Sequence, residues 1–214
     1  EDLAAALVAA EQANAAQSDF LSRMSHEIRT PMNAIIGMST IAAQSIGDDE
    51  QVEDCISKIG ISSRFLLSLI NDILDMSRIE SGKMLLKNEK IPTEDFLNGI
   101  NSICYAQAAA RGVDYECIVD PVLDDYYMGD AMKLQQVLIN ILSNAIKFTK
   151  EGGKVTLSAA LRRKTKNDAV LRFIVNDTGI GISEEFIPHI FEPFSQESTG
   201  TTALYGGTGL GLAI

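Results

Sequence analysis

The first residues that could carry chemistry surround His26, in the segment Phe20-Leu21-Ser22-Arg23-Met24-Ser25-His26-Glu27-Ile28-Arg29-Thr30-Pro31. A neutral imidazole nitrogen is a good nucleophile near pH 7, and a neighbouring carboxylate such as Glu27 could serve as its base. Thr30 lies one helical turn after His26 and would share its face of a helix. Pro31 would delete the hydrogen bond to the carbonyl of Glu27 and loosen the helix there. On spacing alone, a solvated histidine without a function is the plainer interpretation.

A second set of polar residues shares one face of a predicted helix. Asn140, Asn144 and Lys147 follow one another at gaps of four and three residues, which places them on the same side. An amide oxygen is a reasonable ligand for hydrated Mg²⁺, and a lysine suits a phosphate as a point charge. The alternative is a polar, solvent-facing stripe on a helix whose other face is apolar. That apolar face consists of Leu134, Val137, Leu138, Ile141 and Leu142.

Two glycine-containing loops complete the candidate chemistry. Asp177-Thr178-Gly179-Ile180-Gly181 follows an apolar run, so a carboxylate at a strand end could accept a hydrogen bond from an amino group beside a tight backbone turn. Gly206-Gly207-Thr208-Gly209-Leu210-Gly211 could open a helix and present backbone N–H groups to a phosphate. Each loop alone is equally compatible with an ordinary turn. The P-loop pattern GxxxxGK[ST] does not occur in the sequence.

The elements that must position these residues begin with a predicted helical hairpin. On a helix of about 100° per residue, seven apolar residues fall within about 40° of Met24 on either side and form a narrow seam. They are Phe20, Met24, Ile28, Pro31, Ile35, Met38 and Ala42. His26 lies on the opposite side of this helix, where it faces water or a partner.

A second helix is predicted after Gly47, where Asp48 and Gln51 have the spacing of a helix N-terminus. Its apolar positions are Ile56, Ile59, Leu66, Ile70, Ile73 and Leu74. Two such helices bury only part of their apolar surface against each other. The surplus predicts a four-helix bundle formed by two chains.

The second half of the chain predicts an α/β sandwich, because short strand-like runs alternate with helical stretches. The expected strands are Lys83–Lys87, Val113–Val119, Lys154–Arg162 and Ala169–Val175, and the expected helices begin near Thr93 and span Asp130–Phe148. An acidic loop is expected from Asp120 to Gly129. The stretch from Gly179 to Gly207 has little pattern apart from a helix-like piece at Glu184–Ile190. These features predict a helical domain over residues 1–82 and a sandwich over residues 83–214.

Composition and charge exclude several classes of protein. The chain has 214 residues, of which 46% are hydrophobic and 22% charged, as in a globular protein of one or two domains. A net charge of −11 and a pI of about 4.6 argue against a broad basic face for nucleic acid or an anionic membrane. No run approaches the roughly 18 apolar residues of a membrane helix. The three cysteines form no CxxC pair, so we expect reduced thiols in a cytoplasmic protein.

Taken together, the motifs resemble the catalytic core of the sensor histidine kinases of two-component systems. The segments similar to that family's H, N, G1, F and G2 boxes are Phe20–Pro31, Asn140–Phe148, Asp177–Gly181, Phe191–Phe194 and Gly207–Gly211. They occur in the family's order and cover nearly the whole chain. The H box composition and Tyr205-Gly206-Gly207 are most similar to the hybrid branch, which often carries a receiver domain downstream.

This resemblance implies an all-α dimerisation and histidine-phosphotransfer hairpin, followed by a Bergerat-type sandwich of the histidine kinase, gyrase and Hsp90-type ATPase class. His26 would accept the γ-phosphoryl group of ATP, with Glu27 assisting as general base. The phosphoryl group would then pass to an aspartate of a response regulator receiver domain. Thr30 would help to position water when the same enzyme dephosphorylates that partner. The implied assembly is a homodimer.

In the sandwich, the resemblance implies that Asn144 holds Mg²⁺ with Asn140 close by, and that Lys147 meets phosphate. Asp177 would accept a hydrogen bond from the adenine amino group. The other implied nucleotide-binding residues are Gly179, Gly181, Phe194, Gly207, Thr208, Gly209, Leu210 and Gly211. We expect the sandwich to continue beyond Ile214, and any sensor, receiver or inner-membrane segment to lie outside this chain.

Two alternatives are weighed against the kinase. ATP-hydrolysing conformational machines of the same fold class carry a glutamate four residues before the metal-binding asparagine, whereas Asn140 stands there and cannot act as a base. The second alternative is a catalytically impaired, nucleotide-binding dimer scaffold. It is favoured by Ala203 and Leu204, which stand where many relatives carry basic residues, so that phosphate contacts would depend more on Mg²⁺ and Lys147. The intact acceptor histidine, asparagine and aspartate favour the kinase.

Overall fold

The computed structural model describes residues 2–195 and 209–214, with the side chains of the first helix described continuously from residue 20. The chain divides into two compact units, Glu1–Glu80 and Ser81–Ile214. The first unit contains α1 (Asp2–Gln44) and α2 (Asp49–Glu80). The second contains, in order, β1 (Glu89–Pro92), α3 (Thr93–Ala109), β2 (Asp114–Val119), β3 (Tyr126–Gly129), α4 (Ala131–Phe148), β4 (Lys154–Lys164), β5 (Ala169–Asp177) and a 3₁₀ turn (Ile187–His189). A helical hairpin followed by an α/β sandwich is therefore confirmed.

The hairpin forms because the predicted seam of α1 packs against α2. Pro31 is buried in this seam, and its other members are half-buried. The chain reverses at Gly47, whose φ of 104° suits glycine. The backbone N–H of Gln51 donates to Asp48 Oδ1 at 3.1 Å, which caps α2 as the spacing predicted.

The seam of α2 differs in part from the predicted one. Cys55 and Leu69 are its fully buried residues. Ile56, Ile70 and Leu74 remain 61%, 40% and 50% exposed. The hairpin therefore keeps a stripe of apolar surface that α1 does not cover.

The sandwich contains two sheets. The antiparallel pair β1–β3 forms one sheet, and the other has the order β2-β4-β5, with β2 parallel and β5 antiparallel to β4. Alternate residues of β4 enter the core, and one face of α4 covers them, as the periods of strand and helix require. The buried residues of these two elements are Val155, Leu157, Ala159, Leu138, Leu142, Ala145 and Ile146.

Three local predictions are wrong in detail. Residues 83–88 form no strand; Leu85 and Leu86 are exposed, and the N–H of Lys87 donates to Asp130 Oδ2 at 3.1 Å instead of to a strand. The expected acidic loop contains β3, which pairs with β1 although α3 and β2 lie between them in the sequence. The helix-like piece at Glu184–Ile190 contains only a 3₁₀ turn with a proline at its start.

Candidate functional site

His26 lies on the face of α1 opposite the seam, and its side chain is 75% exposed. Its Nδ1 is 3.6 Å from Glu27 Oε1. Adjacent helical positions do not normally face each other, so this proximity depends on the side-chain conformations and not on the spacing alone.

The next turn of α1 carries Thr30 and Pro31. Thr30 Oγ1 donates to the carbonyl oxygen of His26 at 3.3 Å, so the two residues are brought together as predicted. Pro31 has no N–H to donate to the carbonyl of Glu27, yet α1 continues through it to Gln44. The turn after His26 therefore has one backbone hydrogen bond fewer than an ordinary helix.

The amide face of α4 forms the centre of the second candidate site. Asn140, Asn144 and Lys147 are half-buried along one side of this helix. Asn140 Nδ2 donates to the carbonyl oxygen of Gly211 at 3.1 Å. The N box helix is thereby attached to the segment that the sequence assigned to the G2 box, 71 residues later.

The loop after β5 closes against the C-terminal end of α4. Asp177 Oδ1 accepts a hydrogen bond from the N–H of Gly179 at 2.9 Å. The N–H of Ile180 donates to the carbonyl oxygen of Phe148 at 3.3 Å. The Asp177 carboxylate and the end of the amide-bearing helix are therefore held side by side. Gly181 follows with a φ of 73°.

We expect Gly179→Ala to distort this loop. A Cβ at this position would lie 2.7 Å from the carbonyl oxygen of Phe148 and 2.8 Å from Asp177 Oδ1. Such overpacking costs about 1–3 kcal/mol, so thermal unfolding should show a lower Tm and a smaller shift on adding ATP. The matched control is Gly99→Ala in α3, where a Cβ would meet nothing within 4 Å. There we expect a gain of about 0.5–1 kcal/mol, because alanine favours a helix. Equal stability for both variants would contradict the close approach.

Lys147 occupies the last turn of α4. Burial, with a smaller contribution from the positive charge of Arg111, holds the pKa of its ammonium group below the usual range. Its Nζ lies 4.8 Å from the centroid of the Phe148 ring. A partly desolvated cation of this kind favours the arrival of an anion, which would restore the lost solvation.

The segments similar to the F and G2 boxes contact each other where the described residues end at 195 and resume at 209. The N–H of Phe194 donates to the carbonyl oxygen of Gly209 at 2.9 Å. Phe194 and Gly209 have φ values of 60° and 67°, and Leu210 is fully buried. Gly207 and Thr208 lie outside the described residues.

Comparison with known protein families matches both halves of the chain. Residues 16–82 match the His Kinase A (phospho-acceptor) domain. Residues 129–214 match the histidine kinase-, DNA gyrase B- and HSP90-like ATPase domain. The chain belongs to the histidine kinase family.

Curated relatives align along nearly all of this kinase. It is 42% identical over 206 residues to the sensory/regulatory protein RpfC of Xanthomonas campestris pv. campestris, covering 96% of this chain and 28% of RpfC. It is 43% identical over 210 residues to the non-motile and phage-resistance protein of Caulobacter vibrioides, covering 97% of this chain and 25% of that protein. The kinase chain thus spans about a quarter of the length of the curated relatives that it matches.

Among solved structures, full-length ShkA in complex with AMPPNP matches this kinase with a TM-score of 0.61 and 29% identity. The match covers 91% of this chain and 39% of ShkA.

A contact of Arg111, a residue that the sequence did not single out, also belongs to the kinase site. Arg111 Nη1 donates to the carbonyl oxygen of Lys147 at 2.7 Å. The two residues are 36 positions apart, and an arginine in the turn after a helix carries no signal of its own. Only the folded chain brings Arg111 to the end of the N box helix.

Within residues 2–195 and 209–214, no group of three or more His, Cys, Asp or Glu side chains could hold a metal ion. In the same ranges, no helix has both the length and the apolar character needed to cross a membrane.

Proposed function

We propose that this kinase phosphorylates its own His26 with ATP and passes the phosphoryl group to an aspartate in the receiver domain of a response regulator. The observation that carries the proposal is the exposed imidazole of His26 with the Glu27 carboxylate 3.6 Å from its Nδ1. An exposed ring can reach a phosphoryl group presented by another domain, and the carboxylate fixes which nitrogen reacts.

The proposed step follows from that geometry. The lone pair of His26 Nε2 attacks the γ-phosphorus, an N–P bond forms, and the bond to the β–γ bridging oxygen breaks. ADP leaves with the electron pair. The Glu27 carboxylate, 3.6 Å from Nδ1, would close to hydrogen-bond distance, accept from Nδ1–H and take this proton as the ring becomes cationic. Positioning of the reacting groups supplies most of the acceleration in such a transfer.

ATP would bind the sandwich between the amide face of α4 and the glycine loops. We propose that Asp177 accepts from the adenine amino group and that Lys147 meets the phosphates. The proposed backbone contributors are Gly179, Gly181, Phe194, Gly207, Thr208, Gly209, Leu210 and Gly211. The half-buried, partly desolvated ammonium group of Lys147 supports its pairing with an anion.

The donor set on α4 fits Mg²⁺. Asn140 uses its Nδ2 for the bond to Gly211, which leaves its amide oxygen as an acceptor, and Asn144 lies one turn further on. Mg²⁺ typically takes one or two protein oxygens and completes its shell with water and substrate phosphates. We propose that Asn144 holds the ion with Asn140 beside it, and the bound ion would neutralise charge on the phosphates.

We also propose that two copies of the hairpin associate. An open groove on α1 is lined by Leu21, Met24, Ser25, Ile28, Arg29 and Met32. Leu21 and Met32 are 56% and 44% exposed, and α2 adds its exposed apolar stripe. A second copy covering these surfaces would complete a four-helix bundle.

The direct test is incubation with γ-labelled ATP and Mg²⁺, followed by acid and base treatment of the labelled protein. Label that is lost in acid and stable in base indicates a phosphorylated nitrogen, as the proposal expects. A receiver domain added afterwards should remove the label. ATP binding without any label, in a chain extended past Ile214, would instead favour the nucleotide-binding scaffold.

Thr30→Ala should separate the two activities of the proposed enzyme. We expect autophosphorylation within about twofold of the parent chain, because the Thr30 hydroxyl bonds to the backbone carbonyl of His26 and not to its ring. Dephosphorylation of the regulator should slow by about tenfold or more, as for loss of a positioning group. Thr40→Ala is the matched control, since Thr40 makes the same bond to the carbonyl of Ile36 at 3.0 Å. The measurement is the decay of phosphorylated regulator after ATP removal; equal decay in both variants would refute the role of Thr30.

A further inference from the structure

We infer that Arg111 is a positioning residue for Lys147, and that it strengthens ATP binding by fixing the peptide from which Lys147 extends. The inference rests on the proposed contact between Lys147 and phosphate. Arg111 itself need not touch the nucleotide.

The contact lies at the end of α4, where backbone carbonyls lack helical partners. Arg111 Nη1 donates to the carbonyl oxygen of Lys147 at 2.7 Å. A guanidinium group at a helix C-terminus both satisfies a carbonyl and complements the negative end of the helix dipole. The bond therefore restrains the peptide unit that carries the Lys147 side chain.

The position of Arg111 is fixed by backbone contacts of the residues that follow it. Gly112, with a φ of 64°, ends the turn after α3. Its carbonyl oxygen accepts from the N–H of Gly152 at 2.8 Å, and the N–H of Asp114 donates to the carbonyl oxygen of Gly153 at 2.8 Å. The turn after α3 is thus joined to the turn after α4, so Arg111 is presented to α4 by the fold.

The C-terminal end of α4 is also capped by bonds that do not involve Arg111. The carbonyl oxygen of Ala145 accepts from both the N–H and the hydroxyl of Thr149, at 3.1 and 2.7 Å. The carbonyl oxygen of Phe148 accepts from Ile180. Removing Arg111 would leave these caps in place, so the end of α4 should persist without it.

The charge of Arg111 has a second consequence for Lys147. It adds to burial in disfavouring the charged form of the lysine and so lowers its pKa. A phosphate that approaches Lys147 would relieve both effects at once. The restraint on Lys147 and the positive charge of Arg111 therefore both favour phosphate binding.

The test is a double-mutant cycle with Arg111→Met and Lys147→Met, measured as ATP affinity by calorimetry. We expect Arg111→Met to weaken ATP binding by about threefold to fivefold, the range for a charge at a helix end. In the Lys147→Met background the same change should have a much smaller effect, because the positioned side chain is gone and only the charge of Arg111 itself remains. Adenosine, a phosphate-free probe measured by competition, should bind equally in all variants.

Two further variants serve as controls. Arg111→Lys should recover part of the lost ATP affinity, and Arg162→Met on the exposed β4–β5 hairpin should leave ATP affinity unchanged.

The outcomes separate this inference from the proposed function. A similar loss in both backgrounds, or an equal loss for adenosine, would assign Arg111 a purely structural role and overturn the inference. Weaker ATP binding in Lys147→Met with full affinity in Arg111→Met would overturn the inference alone. Unchanged affinity in Lys147→Met would overturn both the proposed phosphate contact and the inference built on it.

Discussion

In the His26→Gln variant, we expect no phosphoryl label from γ-labelled ATP, while ATP affinity stays within about twofold of the parent chain. The amide of glutamine has no basic nitrogen with which to attack phosphorus, so the loss should be complete. His26 belongs to the helical unit and the proposed nucleotide residues to the sandwich, so the binding site keeps all of its groups. The measurement pairs label incorporation with calorimetric ATP titration on the same sample.

The matched control uses the other histidine of the chain, which contains two. His189 is also exposed beside a carboxylate, with Nδ1 2.9 Å from Glu192 Oε1. Because His189 lies in the sandwich and outside the segment similar to the H box, His189→Gln should keep the acid-labile label on His26. Label retained on His26→Gln, or lost equally in both variants, would contradict the assignment of the acceptor.

In the Asp177→Asn variant, we expect ATP to bind about thirtyfold more weakly. Asp177 uses Oδ1 to accept from Gly179 at 2.9 Å, and an asparagine can keep that bond through its own oxygen. Its other terminus then becomes an N–H₂ group that meets the adenine amino group donor to donor. Leaving such donors unsatisfied costs about 2 kcal/mol, which corresponds to about thirtyfold in affinity.

The same substitution predicts a change in base preference. Inosine triphosphate carries a carbonyl oxygen where ATP carries the amino group, so the Asp177→Asn side chain could donate to it. The ratio of ATP to inosine triphosphate affinity should fall in Asp177→Asn and stay constant in Asp168→Asn, an exposed control between β4 and β5. Unchanged ATP affinity in Asp177→Asn would remove this residue from the proposed site.

The sequence predicted the elements whose signals are local. The seam of α1 and the Asp48 cap of α2 depend on residues three or four positions apart, and both are found as predicted. Strand β3 was missed because it lies within an acidic stretch and is stabilised by pairing with the distant β1. The paired residues are 34 positions apart for Pro92 and Tyr126 and 40 apart for Glu89 and Gly129. The run at residues 83–87 has strand-like composition but finds no partner strand.

For the candidate site, too, the sequence predicted the local features and missed the long-range contacts. Motif spacing identified Asn140, Asp177 and Phe194 as residues of interest. It could not predict that Asn140 bonds to Gly211 or that Phe194 bonds to Gly209, because these contacts join segments that meet only after the sandwich forms. The bond from Arg111 to Lys147 is of the same non-local kind.

The carboxylate of Asp130 bonds to two parts of the sandwich, and both bonds depend on whether this carboxylate is protonated. Its Oδ1 accepts from the N–H of Lys133 in the first turn of α4, and its Oδ2 from the N–H of Lys87 in the segment that enters the sandwich. These backbone bonds, the one from Lys133 first, hold the pKa of Asp130 below its usual range. Any displacement that detaches Lys87 must raise that pKa toward its ordinary value, and by reciprocity protonation of Asp130 must loosen Lys87. Mechanical tension on residues 83–88 and protonation of Asp130 at the start of the N box helix are therefore thermodynamically linked.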